Sequence, residues 1–178
     1  MIIYLPFGDF QECAASLPVS KLGEQRKDAY KLLEALLSGQ LEGVEPALVR
    51  MWQGYEGALA AYNIALSKEM DSRNYHDPFF FQTFLLAYRY GLSFVETKAP
   101  PWLGEPSLHA SHRSLLKREV TGNLAKASFA YKNSERMNLG VSKEELEARL
   151  NKARGEFEWY QGLGWTDSMS APLIWPQK

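Results

Sequence analysis

The chain has 178 residues, with 20 Lys and Arg against 21 Asp and Glu, a net charge of −1, and 46% hydrophobic residues. That length suits a single domain with one sizeable core, and the balanced charge excludes a global basic field that would advertise nucleic acid. The single Cys13 excludes an internal disulfide, and no apolar run approaches the ~20 residues of a membrane span. With no signal-peptide pattern at the start, the expectation is a cytoplasmic protein that uses no membrane.

In chain order, Ile2 to Asp9 predicts an extended segment and turn. A short helix through Glu12 to Leu17 follows, ended by Pro18. Ser20 is the expected N-cap of a long helix from Lys21 to Ser38, with Gly39 as its exit. Glu45-Pro46 opens a helix expected to run unbroken to about Met70, since Leu48, Met51, Trp52, Tyr55, Leu59, Tyr62 and Leu66 form one stripe. Asp77-Pro78 starts a very apolar helix, Phe79 to Tyr88, expected to be central. Ala99 to Gly104 is a Pro-rich connector, and Glu105 to Arg118 resumes as helix. Residues 119–140 are polar and give no assignment. Ser142 and Glu145 form a capping box for a charged helix reaching about Gln161, and the apolar tail Ala171 to Pro176 is expected to dock on the body. The class is all-α: a compact single-domain helical bundle with a short extended N-terminal segment. Residues 1–118 form its core, and 119–178 form a helical extension with a docked tail.

Three constellations could carry chemistry. The first is Lys21, Gln25, Arg26 and Asp28. At about 100° per residue, Arg26 projects between Leu33 and Leu37, inside the apolar arc, with Gln25 in the arc and Asp28 at its edge. A guanidinium turned toward a core must be paired or line a cavity. A carboxylate beside it offers a base or an electrostatic stabiliser with an anion clamp, or simply a salt-bridged flank. The anion that Arg26 meets is open between a phosphate and Glu56.

The second is Arg50, Trp52, Glu56 and Asn63, where a carboxylate bordering an aromatic wall could have a raised pKa suited to acid–base work, or be an exposed Glu on a packing helix. The third is His109, Ser111, His112, Arg113 and Ser114, which offers phosphate contact or, for His112, a hydrogen-bonded inward histidine. Without HExxH, a Cys pair or further ligands no metal site is expected, and no cofactor. From Pro106 to Arg136 six basic residues accompany two acidic ones, a solvated face or a local basic patch. No Walker A, GxGxxG or GxSxG motif occurs, which disfavours P-loop, Rossmann dinucleotide and α/β-hydrolase chemistry.

Several cassettes carry a resemblance: Leu5-Pro6, Lys21-Leu22-Gly23-x-Gln25-Arg26-x-Asp28, Ala47 to Glu56, Pro100 to Gly104, Leu108 to Ser114, and Trp175-Pro176. Their order and spacing resemble a family of small bacterial and phage proteins, itself distantly similar to the pyrimidine-dimer DNA glycosylases of the phage endonuclease V type. That resemblance implies an all-α domain that kinks damaged DNA and displaces a base. It also implies an N-terminal α-amine that attacks the sugar C1′ to form an imine, assisted by a helix-borne carboxylate. Carried over, the amine falls on Met1, the carboxylate on Asp28 (where the family has Glu), and the cationic roles on Arg26 and Lys27, with Lys21 as a substitute amine.

The expected activity is therefore a DNA glycosylase-like one on a damaged or modified pyrimidine, with imine-mediated AP-lyase action. Met1, Asp28 and Glu56 are its candidate catalytic residues. Lys21, Gln25, Arg26, Arg50, Trp52, His109, His112 and Arg113 are its candidate DNA or nucleotide contacts. The alternatives are a non-catalytic module binding nucleotide, nucleic acid or a protein partner, and an enzyme on a free nucleotide.

Overall fold

The computed structural model describes residues 1–93, 97–134 and 140–176. Among these there are seven α-helices and no strand, so the chain is all-α. No described helix is long and apolar enough to cross a membrane. The chain divides into two units: Met1–His109 together with the tail from Ile174, and Ala110–Leu173.

In the first unit, α1 (Phe10–Ala15) is capped by Asp9, whose side chain accepts from the Glu12 N–H. Helix α2 (Val19–Ser38) begins two residues before the expected start, directly after Pro18, and Ser20 is not its cap. It ends, as the sequence predicts, at Gly39 in the left-handed region, φ 74°, where only a residue without Cβ avoids strain. Leu22, Ala29, Leu32 and Leu33 form its buried stripe.

The helix expected over Glu45 to Met70 is two. Helix α3 (Pro46–Trp52) stops at Gln53, Gly54 takes φ 86°, and α4 (Glu56–Ser72) starts afresh. Continuous apolar spacing hid the break, because the turn keeps both helices on one core. Trp52 and Tyr62 stay fully buried and stack with ring centroids 6.4 Å apart. Helix α4 packs on α1, α2 and α5 (Phe79–Arg89).

Helix α5 is not central. Thr83, Leu86 and Ala87 face inward, while Phe81 is 72% and Tyr88 86% exposed, with Phe84 and Leu85 also on the outside. Its aromatic residues lie all round the helix, so composition could not tell which face would be buried; the inner face in fact carries Thr83, bonded by the Asn63 amide at 2.8 Å. Replacing Phe81 by Ser should therefore change unfolding free energy by no more than about 0.5 kcal/mol, whereas Leu86→Ala should cost about 2–5 kcal/mol. Urea denaturation of both variants checks this.

In the second unit, α6 (Pro106–Lys132, counted here from Ala110) extends well beyond Arg118 and takes up most of the stretch left unassigned by sequence; residues 135–139 of that stretch lie outside the described residues. Helix α7 (Lys143–Gly162) has the expected cap: Ser142 Oγ accepts from the Glu145 N–H at 3.1 Å. The Glu145 carboxylate bonds Arg149 instead of closing the box. Leu146, Leu150, Ala153 and Tyr160 form its buried stripe.

Candidate functional site

The N-terminal segment is extended yet buried at Ile3, Tyr4 and Leu5, so its backbone groups need partners. Gln25 supplies two. Its Oε1 accepts from the Tyr4 N–H at 2.8 Å and its Nε2 donates to the Ile2 carbonyl at 2.6 Å, as a neighbouring strand would. The Tyr62 hydroxyl donates to the Tyr4 carbonyl at 2.8 Å. His109 secures the next step: its Nε2 accepts from the Gly104 N–H at 3.0 Å, so Nδ1 carries the proton that bonds the Leu5 carbonyl at 2.7 Å. A Cβ on Gly8 would lie 3.1 Å from the Gly104 Cα, which shows how tightly the segment is laid down. Gln25 and His109 thus act on the chain's own backbone.

This clamping brings the Met1 amine to the side of α2. Met1 is 47% exposed, and its positive charge acts on Asp28, as do Lys21, Glu24 and Lys31. Burial raises the Asp28 pKa above the ordinary aspartate value, and the Met1 amine is the strongest opposing influence. Lys21 lies over the Tyr4 ring, 5.7 Å from its centroid, and pairs with Glu24 at 3.4 Å. Of the residues singled out by sequence, Met1, Lys21, Gln25 and Asp28 are gathered here: two amines, a half-buried carboxyl with a raised pKa, and the amide that fixes their spacing.

Arg26 turns the other way. Its guanidinium pairs with Asp77 and lies 4.5 Å from the Phe79 ring centroid. The carboxylate that Arg26 meets within the chain is therefore Asp77 and not Glu56. Asp77 was legible only as a helix-start signal, a role it also fills by accepting from the Phe79 N–H at 3.0 Å. Glu56 closes the α3–α4 turn, accepting from the Gly54 N–H at 2.8 Å. Trp52 is core, and Arg50 is exposed at the end of α3. Lys27 is exposed on α2.

In the second unit His112 is fully buried. Arg113 forms a two-pronged pair with Asp167, 2.7 and 3.0 Å, which holds the Asp167 carboxyl below its usual range. Lys117 donates to the carbonyls of Trp165 and Asp167, and Arg118 to those of Met169 and Ala171. Much of the basic run on α6 thus fastens the chain that returns after α7. Among the described residues no group of three or more His, Cys, Asp or Glu could hold a metal. Cys13 is buried and its thiol pushed up to about 12, which makes it a poor nucleophile at neutral pH.

Fold and site together are those of an all-α unit whose N-terminal amine acts electrostatically on a carboxyl of α2. Residues 1–82, just under half the chain, match the family model described as pyrimidine dimer DNA glycosylase. Over those residues the chain is thus distantly similar to the glycosylases of the phage endonuclease V type. The match takes in the N-terminal segment, α1 to α4 and the start of α5. No curated protein and no solved structure matches it.

Proposed function

We propose that this chain is a DNA glycosylase-like enzyme acting on a damaged or modified pyrimidine, with the Met1 α-amine as nucleophile and Asp28 as its acid–base partner. The observation that carries the reading is the electrostatic coupling of the Met1 amine to a half-buried Asp28 carboxyl whose pKa is raised. The family match over residues 1–82 supports the substrate class.

In this chemistry the neutral amine attacks C1′. The C1′–N1 bond breaks, and the base leaves with the electron pair and takes up a proton. Loss of the amine proton and opening of the sugar at O4′ gives an imine. Its protonated form lets a base remove the C2′ proton and expel the 3′ phosphate. A carboxyl protonated to higher pH than usual is suited to giving a proton to O4′ or to the leaving base and then recovering one. Lys21, on the same face, is the alternative amine.

Borohydride trapping tests this on oligonucleotides carrying a thymine dimer, an abasic site or a modified pyrimidine. The expected result is a reduced covalent adduct that peptide mass mapping assigns to Met1 and that an N-terminal extension abolishes. An adduct on Lys21 would move the nucleophile. No adduct and no base release across the panel would overturn the enzymatic reading.

A further inference from the structure

The break between α3 and α4 opens a hollow. The turn at Gly54, the end of α3, the connector from Lys98 to Trp102 and Pro176 of the tail enclose about 370 Å³, within the size range of small-ligand sites. All of these residues belong to the first unit. We propose that this hollow binds a phosphate-bearing planar ring, in chemical class a mononucleotide. The proposal stands apart from the proposed catalytic step, because Met1, Lys21 and Asp28 do not line the hollow, whereas Arg50, expected from the sequence to contact DNA or nucleotide, does.

Charge is the first argument. Arg50 and Lys98 both line the hollow, and no carboxylate does so among the described residues. The nearest acid in sequence, Glu56, is bonded to the Gly54 amide in the turn. The Lys98 ammonium is 5.4 Å from the Tyr55 ring centroid, a cation–π contact that holds it over the aromatic wall. Thr97, just before it, is packed so closely on α4 that a Cβ added to Gly57 would come within 2.8 Å of Thr97 Cγ2. Thr97 thus meets α4 immediately before Lys98, which is itself exposed. An arginine and a lysine converging on one cavity suit a phosphate, which takes charge-assisted hydrogen bonds from both.

The walls supply the second argument. Tyr55, Trp102, Met51 and two prolines make them largely flat and apolar. Trp102 cannot turn freely: its Nε1–H donates to the Met51 carbonyl at 3.3 Å, and its ring meets Trp52 edge-on with centroids 5.0 Å apart. A preset aromatic surface beside two cations fits a base carrying a phosphate, since stacking asks for a flat face and little else. The same chemistry comes from a free nucleotide or from a nucleotide within a strand.

Isothermal titration of the full chain separates the two sources, using thymidine 5′-monophosphate, thymidine, inorganic phosphate and a short single-stranded oligonucleotide as probes. The monophosphate should bind saturably, and both thymidine and phosphate alone should bind about tenfold more weakly or worse. The double variant Arg50→Gln/Lys98→Gln should lower monophosphate affinity by about tenfold or more. Both residues are exposed and only the Lys98–Tyr55 cation–π contact is lost, so the thermal midpoint should move little. An oligonucleotide that competes with the monophosphate and shares its sensitivity to the double variant identifies a strand as the source. Failure to compete identifies the free nucleotide. Absence of saturable binding by both, binding that the double variant leaves intact, or phosphate alone binding as tightly as the monophosphate would overturn the proposal.

Discussion

Asp28→Asn should abolish most base release while leaving the protein at least as stable as the wild type. Loss of a general acid–base group ordinarily removes about 10²–10⁴ of the rate, and asparagine can neither give nor take the proton. Stability should move the other way. Folding raises the Asp28 pKa above its ordinary 3.8, with burial as the main cause. Within the window between 3.8 and the raised folded value, the folded state holds more protons than the unfolded one, so stability falls as pH rises. Above that window the full cost of the half-buried charge is present. Asparagine has no such cost. Subtracting the variant's stability–pH curve from the wild type's should isolate a step across that window, with the wild type losing ground as pH rises. Converting the Met1 amine to a neutral acetamide removes the charge that opposes burial, so it should raise the Asp28 pKa further and enlarge the step. A variant that is clearly less stable at neutral pH would make Asp28 a structural residue. Base release unchanged by the substitution would remove it from the chemistry.

The residues at this site differ in how much of their role could be inferred from spacing. Helix α2 was legible because Leu22, Ala29 and Leu33 recur at helical period and Gly39 ends it in a conformation that glycine favours. That Gln25 and Arg26 face inward followed from the same period. Their partners did not. Gln25 bonds the backbone of Ile2 and Tyr4, and Arg26 meets Asp77, which lies 51 residues away in sequence; helical spacing carries no information about either. The cavity at Gly54 was invisible for a related reason. A lone glycine costs a helix only about 1 kcal/mol, too little to predict a break. At the break Gly54 takes φ 86° and its N–H donates to the Glu56 carboxylate, a local arrangement that helical period does not encode. The basic run on α6 misled in the opposite sense. Charge counting cannot tell a patch offered to a ligand from cations already spent on the chain's own carbonyls, as Lys117 and Arg118 are.

Arg26→Met should be the most destabilising single substitution in the first unit that leaves side-chain volume nearly unchanged. It would strand the Asp77 carboxylate, whose side chain is wholly buried, without its counter-ion. Breaking a buried pair from one side typically costs about 3–5 kcal/mol, a large share of the ~5–15 kcal/mol that holds a domain folded. The guanidinium's contact with the Phe79 ring, at 4.5 Å, is lost as well. The double variant Arg26→Met/Asp77→Asn should recover most of the loss. It removes both charges, and the asparagine oxygen can still accept from the Phe79 N–H. The pair is single-pronged: Arg26 Nε and Asp77 Oδ2 are buried without a hydrogen-bond partner among the described residues. It is therefore poorly compensated for its desolvation, and a methionine–asparagine replacement should come close to the wild type in chemical denaturation. Activity distinguishes the roles. If Arg26 serves only the fold, base release by the double variant should return along with its stability. If Arg26 leaves Asp77 to clamp a DNA phosphate during turnover, the double variant would fold and still fail to release the base. A single variant as stable as the wild type would instead mean that Asp77 does not hold Arg26 in solution.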